Sequence, residues 1–244
     1  MKILLNYSPN FDPKKRKRSQ IKFIVFHYTG MKSEKKAIEK LLNQNSKVSC
    51  HYLIKNNGEI IKMVPETYQA WHAGISSWKK FKSLNKNSIG IEITNPGHEF
   101  EYKKFSKKQI YSLIKLTKYL VKKFKINPKL ILGHSDVAPD RKIDPGEKFP
   151  WEFLSKNKIG IWHDFSQNKI KKERGSKISN QLKLKFLNNL YKIGYPKNSK
   201  KINKNKYNKS ITLAFQRRFR QELVNGKIDK ECLIISENLS KKFN

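Results

Sequence analysis

Short apolar runs in the first 165 residues predict β-strands. The run at 21–28 (IKFIVFHY) is apolar, β-branched and aromatic, which is typical of a buried strand. At 88–94 isoleucine recurs at every second position, so the isoleucines share one face of a strand and Glu92 points to the other. A turn signal at 56–58 between two apolar runs indicates a hairpin. The predicted strands are 21–28, 48–54, 59–64, 88–94 and 130–132.

Two stretches in the same part of the chain have the spacing of helices. Apolar side chains at 107–124 recur at i, i+3 and i+4, which makes this the clearest helix. The pattern at 33–44 predicts a second helix, with Ser33 as a possible N-cap. Glycines and prolines between 133 and 151 predict a long ordered loop, and such loops often carry function.

From about residue 166 the pattern becomes that of a small helical unit. Residues 166–177 are polar and are typical of a linker, and 194–209 are rich in Lys and Asn and predict a loop. Three helical patterns, at 178–191, 210–223 and 229–239, predict a three-helix module with one core of its own. The predicted organisation is a domain at 1–165, a linker at 166–177 and a C-terminal domain at 178–244.

The charge raises the hypothesis of a nucleic-acid binder. There are 54 Lys and Arg against 19 Asp and Glu, a formal net charge of +35. The excess is spread along the chain, with +19 over residues 1–165 and +16 over 166–244, and no nucleic-acid-reading motif accompanies it. We therefore expect no specific nucleic-acid partner, although a basic surface attracts polyanions of many kinds, including carboxylate-rich cell wall.

Other classes are excluded by composition. Two cysteines, Cys50 and Cys232, cannot form a disulfide framework. No run reaches the roughly 18 apolar residues that a membrane span needs. The N-terminus lacks the apolar stretch of about 7–15 residues found in export signals. We expect a cytoplasmic location, with the periplasm or cell envelope as the alternative.

Three residues at predicted strand ends and in the loop suggest a metal site. His27 closes one strand, His134 follows another, and Asp144 comes ten residues later in the turn KIDPG. Open α/β sheets place their sites at such strand ends. Two imidazoles and one carboxylate leave a position for water, as in a catalytic zinc site. From spacing alone, these side chains could equally be ordinary core or surface residues.

Hydrolysis would also need groups that move protons and stabilise charge. Glu92 is a candidate for proton transfer, and Lys142, two residues before Asp144, could stabilise an oxyanion. Local composition does not distinguish these roles from a solvent-facing glutamate and one lysine among many.

Five segments, in order and at family-like separations, resemble one enzyme family. The chain is similar to the zinc N-acetylmuramoyl-L-alanine amidases of the bacteriophage-lysozyme and peptidoglycan-recognition type, and within them most similar to the AmpD and AmiD group. The segments are FIVFHYTGM (23–31), VSCHYLI (48–54), AWHAGISSW (70–78), NSIGIEITNPGHEF (87–100) and GHSDVAPDRKIDPGEKFPW (133–151).

The resemblance implies a fold and a reaction. The fold is α/β, a central mixed β-sheet flanked by helices with a groove over a zinc ion. The reaction is hydrolysis of the amide between the lactyl group of N-acetylmuramic acid, or its 1,6-anhydro form, and L-alanine of the stem peptide. The implied partner is peptidoglycan or a muropeptide.

The resemblance also implies roles for single residues. His27, His134 and Asp144 would bind zinc, Glu92 would act on the attacking water, and Lys142 would stabilise the transition state. Four further residues are weaker candidates for substrate contact, and they are Trp71, His72, Asn95 and Arg141. His51 is expected to be structural, and His98 and His163 are expected to be ordinary surface residues.

The C-terminal segment resembles a second family. FLNNLYKIGYP (186–196), ITLAFQRRFR (211–220) and NGKID (225–229) are similar to the three-helix peptidoglycan-binding domain. The alternative is a generic helical cap. A binding domain would tether the enzyme to its substrate and raise the local substrate concentration.

The alternative function is a non-catalytic peptidoglycan or muropeptide recognition protein, since receptors of this fold bind without cutting when a zinc ligand is lost. The presence of all five implied site residues favours catalysis. The sequence leaves open the oligomeric state and the choice between anhydro-muropeptide and intact wall.

Overall fold

In the computed structural model, the described residues (1–198 and 202–243) contain a six-stranded sheet, two small strand pairs and helices. The strands are β1 (Ile3–Leu5), β2 (Phe11–Asp12), β3 (Phe23–Tyr28), β4 (Tyr52–Ile54), β5 (Ile60–Lys62), β6 (Gln69–Ala70), β7 (Ser77–Trp78), β8 (Phe81–Lys82), β9 (Ser88–Ile93) and β10 (Ile131–Gly133). The helices are α1 (Glu34–Leu42), α2 (Lys107–Phe124), α3 (His134–Val137), α4 (Trp151–Lys156), α5 (Gln167–Lys171), α6 (Asn180–Ile193), α7 (Lys204–Phe219) and α8 (Lys230–Lys241).

The large sheet is mixed, which confirms the expected fold class. Its strand order is β1-β5-β4-β9-β3-β10. The four strands β4, β9, β3 and β10 are parallel to one another, whereas β4 and β5 form the antiparallel hairpin that the turn at 56–58 predicts. Parallel strands bring their carboxyl ends to one edge, and this edge carries the residues discussed below.

Alternation along the central strands divides the core into two layers. In β3, Ile24 and Phe26 pack in the cluster that contains α2, together with the isoleucines of β9. Phe23 and Val25 face the other way and pack in the cluster that contains the C-terminal helices. Glu92 therefore lies on the face opposite the isoleucines, as the period of two predicts.

Helix α2 matches its predicted range from end to end. Its start is fixed by a capping box in which Ser106 accepts from Gln109 N and the Gln109 side chain accepts from Ser106 N. The apolar stripe of α2 is buried against the sheet. Local periodicity and a cap are sufficient to define this element.

The structure corrects four expectations, three of them about the C-terminal segment. The C-terminal helices share one hydrophobic cluster with the sheet, so the prediction of a core of their own is wrong. Helix α7 begins at Lys204, inside the predicted loop, where Tyr207 is buried. The predicted linker contains α5, whose Ile170 is buried, and the predicted loop at 133–151 contains α3. The domain boundaries themselves stay predictions.

Within residues 1–198 and 202–243, every helix lacks either the length or the apolar character that crossing a lipid bilayer requires.

Candidate active site

Two histidines and an aspartate converge at the carboxyl edge of the sheet. His27 lies near the end of β3, His134 begins α3 directly after β10, and Asp144 follows in the loop. Each pair among His27 Nδ1, His134 Nδ1 and Asp144 Oδ2 is separated by 3.0 Å. All three residues are buried.

This donor set fits a metal ion. Zinc is bound at about 2.0–2.2 Å by imidazole nitrogen and carboxylate oxygen. Tetrahedral ligands at that distance are about 3.3 Å apart, close to the 3.0 Å separations found here. Two ring nitrogens and one carboxylate oxygen this close together form a donor set that could hold a metal ion.

The protonation states at neutral pH suit metal binding. Burial and the neighbouring His134 lower the pKa of His27 to about 4, so its imidazole is neutral. Burial alone would raise the pKa of Asp144, but contacts with His134 and His27 outweigh it and hold this pKa well below its ordinary value. A neutral imidazole and an ionised carboxylate are the forms that bind metals.

The tautomer of His134 is set by a backbone carbonyl. Its Nε2 lies 3.1 Å from Ala73 O, which can only accept a hydrogen bond. Nε2 therefore carries the proton, and the lone pair is on Nδ1, which faces the metal position.

A longer chain of contacts sets the tautomer of His27. Ser88 donates its hydroxyl proton to Leu84 O at 2.6 Å, so its Oγ is free to accept from His72 Nε2 at 3.1 Å. His72 Nδ1 then accepts from His27 Nε2 at 3.0 Å, which leaves the lone pair of His27 on Nδ1. Glycine at position 90 makes room for this arrangement, since a Cβ there would lie 2.4 Å from His72 Cγ.

Glu92 lies next to His27, because the two residues pair in register between β9 and β3. Its Oε2 is buried and has no hydrogen-bond partner within residues 1–198 and 202–243. Burial and the nearby Asp144 charge raise the pKa of Glu92 well above its ordinary value, while Lys142 and Lys40 oppose that shift. A buried carboxyl with a raised pKa is a candidate for accepting and releasing a proton during a reaction.

An open cavity of about 440 Å³ lies over these groups. The three converging residues line it together with Glu92 and Lys142. Of the four weaker candidates, Trp71, His72 and Arg141 line the cavity and Asn95 does not. The Asn95 amide is bonded within its own loop, to Lys103 O and Gly97 N. Arg141 donates to the carbonyls of Ala73 and Ile75 and so braces the cavity wall.

One expectation about the remaining histidines is wrong, since His163 is buried rather than exposed. His98 is exposed, as expected, but it also lines the cavity and joins Tyr28 to Glu147, with 2.9 and 3.0 Å contacts from its two ring nitrogens. His51 is structural, as expected, and its Nδ1 accepts from Gly90 N. The position of His98 depends on a contact 49 residues away, which no local pattern indicates.

Comparison with known proteins identifies similar chains. Residues 17–147 match the family described as N-acetylmuramoyl-L-alanine amidase. The N-acetylmuramoyl-L-alanine amidase AmiD of Escherichia coli is 34% identical over 92% of this chain and 84% of its own. The 1,6-anhydro-N-acetylmuramyl-L-alanine amidase AmpD of Haemophilus influenzae is 40% identical over 43% of this chain and 56% of its own.

Solved structures resemble the whole architecture. The complex of E. coli AmiD with the substrate anhydro-N-acetylmuramic acid-L-Ala-D-gamma-Glu-L-Lys has a TM-score of 0.80, is 34% identical, and covers 91% of this chain and 90% of that one. AmpDh3 of Pseudomonas aeruginosa in complex with anhydromuramic pentapeptide has a TM-score of 0.79 at 30% identity, with 95% and 94% coverage. Both similarities extend over the C-terminal helices as well as the sheet.

Proposed function

Because this chain belongs to the N-acetylmuramoyl-L-alanine amidase family, we propose that His27, His134 and Asp144 hold a zinc ion that serves its amidase reaction. The protein is an enzyme that hydrolyses the amide between the lactyl group of N-acetylmuramic acid and L-alanine of a stem peptide. The observation that carries the proposal is the closeness of three possible ligand atoms, 3.0 Å apart, in the lining of the cavity that Glu92 and Lys142 also line.

Zinc at this position would supply Lewis-acid polarisation and lower the pKa of a water molecule toward ~7. The remaining roles belong to side chains of the protein. Glu92 takes a proton from the attacking water and returns it to the L-alanine nitrogen as the C–N bond breaks. Lys142, in the same cavity, stabilises the negative charge that develops on the carbonyl oxygen.

For the substrate, we propose muramyl peptides whose lactyl carbonyl reaches the floor of the cavity while the stem peptide follows its walls. Cationic side chains in the lining, among them Lys40, Arg141 and Lys142, complement the carboxylates of a stem peptide. Trp71 offers an aromatic surface in the same wall. The two solved complexes, with anhydromuramic ligands, support fragments of this kind.

The test is mass spectrometry of the protein incubated with anhydro-muramyl tripeptide or intact peptidoglycan, with and without a zinc chelator. We expect chelator-sensitive release of a peptide with a free L-alanine amino terminus. A zinc-loaded protein that cuts neither substrate would contradict the proposal and favour a recognition protein. Faster loss of the tripeptide would identify recycled fragments as the substrate, whereas faster loss of the polymer would identify the wall. That comparison also bears on the compartment, for which the cytoplasm stays a prediction.

The contacts of His72 lead to a prediction on metal affinity. His72→Phe keeps an aromatic ring over Gly90 but removes the acceptor of the His27 Nε2 proton. We expect zinc affinity to fall about 10- to 100-fold, the usual cost of losing an outer-shell partner. Competition against a fluorescent chelator measures it. His98→Phe, at the cavity rim and bonded to Glu147 rather than to a ligand, is the matched control, and an equal loss in both variants would contradict the interpretation.

A further inference from the structure

A buried contact joins the C-terminal helices to the turn that carries His134. Arg218 of α7 donates to Asp136 Oδ2 at 2.5 Å, and Tyr195, after α6, donates its hydroxyl to Asp136 Oδ1 at 2.8 Å. The side chains of Arg218 and Asp136 are 3% and 1% exposed. The residues lie 82 and 59 positions apart in sequence, so the contact is purely tertiary.

We propose that Arg218 and Tyr195 are positioning residues for the metal centre, and that the C-terminal helices are thereby part of the catalytic unit. The inference rests on the proposed function, since it takes His134 and Asp144 as ligands. It differs from a tethering role, which would need only that the helices bind substrate.

Asp136 links the helices to the start of α3. Besides the two C-terminal partners, its Oδ2 accepts from Gly133 N at 2.8 Å, which holds the turn that leads from β10 to His134. Of its three donors, two belong to the C-terminal segment. Without them a buried carboxylate would lose most of its hydrogen bonds, a costly state that favours a shift of the turn toward new partners.

Movement of this turn would affect two of the proposed zinc ligands, His134 and Asp144. His134 is the first residue of α3, and Ser135 N, also in α3, donates to Asp144 O at 2.9 Å. Helix α3 therefore also holds the loop that carries Asp144. Metal affinity depends on ligand atoms held in place by such outer contacts. A displacement at Asp136 is therefore expected to loosen His134 and Asp144 together.

The Arg218 guanidinium is fitted closely from both sides. Its Nη2 donates to Ile131 O of β10 at 3.0 Å, and its Cζ lies over the Trp151 ring, 4.3 Å from the ring centroid. Lysine cannot reproduce this forked and stacked arrangement. Arg218→Lys thus keeps the positive charge but removes the guanidinium contacts. It therefore tests the contacts separately from the charge, which a neutral substitution would not do.

A matched control lies two residues further on, directly after the end of α7. Arg220 is also buried and paired with an aspartate, Asp229, but that pair lies within the C-terminal segment and touches no residue of the 133–144 turn and loop. Arg220→Lys should weaken folding as Arg218→Lys does, without reaching the metal centre.

The experiment measures zinc Kd by chelator competition, the visible spectrum of the cobalt-substituted protein, and thermal unfolding, for the full chain. We expect Arg218→Lys to weaken zinc binding about 10-fold or more and to alter the cobalt spectrum. Tyr195→Phe, which removes one hydroxyl, should act in the same direction but less. Arg220→Lys should lower the unfolding midpoint and leave zinc Kd and spectrum unchanged.

The following results would overturn the positioning role of Arg218 and Tyr195 or the proposed function. Unchanged zinc Kd and spectrum in both folded Arg218→Lys and Tyr195→Phe would overturn the inference while leaving the proposed function intact. An equal loss of zinc affinity in Arg220→Lys would overturn it too, because the effect would then be general destabilisation. If Arg218→Lys does not fold, Tyr195→Phe gives the decision. Failure of the unsubstituted protein to bind one zinc ion would instead remove the proposed function.

Discussion

Asp144→Ala is expected to abolish stoichiometric zinc binding and to lower kcat/KM for muramyl peptide hydrolysis about 10³-fold. A metal Lewis acid contributes several kcal/mol to transition-state stabilisation, and each 1.4 kcal/mol is a factor of ten in rate. Asp144 Oδ2 contacts both His27 Nδ1 and His134 Nδ1, so its loss leaves the two imidazoles with no anion beside them to balance the cation. Asp144→Asn should fail in the same way, because a neutral amide is a poor zinc ligand.

Metal analysis and steady-state kinetics measure the effect side by side. Chelator treatment of the unsubstituted protein should reproduce the loss, and added zinc should restore activity there but not in Asp144→Ala. Asp164→Ala is the control, since that carboxylate is exposed, pairs with Lys242 and lies outside the cavity lining. An Asp144→Ala protein that still carried one zinc ion and turned over substrate would show that the assignment of the ligand is wrong.

Local signals were enough for the elements that surround this site. The spacing at 107–124 predicts α2, and alternation at 88–94 correctly turns Glu92 away from the isoleucines, because periods of 3.6 and 2 are set by the backbone itself. These patterns indicate which face of an element is buried. They do not indicate which other element covers it.

That gap accounts for the error about the C-terminal helices. Their apolar stripes predict burial correctly, yet the same stripes fit a separate bundle or a layer on the sheet. The structure has the second arrangement, with Phe215 and Ile235 in one cluster with Val25 and Leu132. The first turns of α7 look like a loop in sequence because they are mostly exposed and polar, and Tyr207 is their buried contact with the rest.

The residues of the candidate site could be predicted from the sequence to different degrees. Spacing alone left His27, His134 and Asp144 as one possibility among several, and the family resemblance implied the set that the structure brings together. The contacts that support these three residues could not be predicted from the sequence. Arg218 is one of three arginines in a four-residue stretch, and its partner Asp136 lies 82 positions away, so neither residue stands out in the sequence. Likewise, the place of His72 between Ser88 and His27 depends on three separate segments.

Glu92→Gln is expected to keep zinc and lose about 10²- to 10⁴-fold in kcat, the range that a positioned acid–base group contributes. The substitution preserves the size of the side chain but removes its ability to carry a proton between water and the leaving nitrogen. Metal content, kcat and KM are the measurements, and KM should change little because the amide still occupies the same place. Glu99→Gln, another carboxylate of the cavity lining, is the matched control and should leave kcat nearly unchanged.

Thermal stability provides a second measurement on the same variant. The sign of the change in stability distinguishes a loss of catalytic activity from a loss of folding. Burial raises the pKa of Glu92 in the folded protein, so the folded state holds this proton more tightly than the unfolded state does. The stability that this group contributes is therefore present below its unfolded pKa of about 4.3 and is lost as pH rises through the folded pKa. Glutamine does not titrate. The zinc-free Glu92→Gln protein should thus gain thermal stability relative to the zinc-free parent as pH increases from about 4 to 7, even though its zinc-loaded form has lost activity. A variant that retained full kcat would remove Glu92 from the reaction, and one that became less stable at neutral pH would show that its carboxylate is held by contacts that favour the charged form.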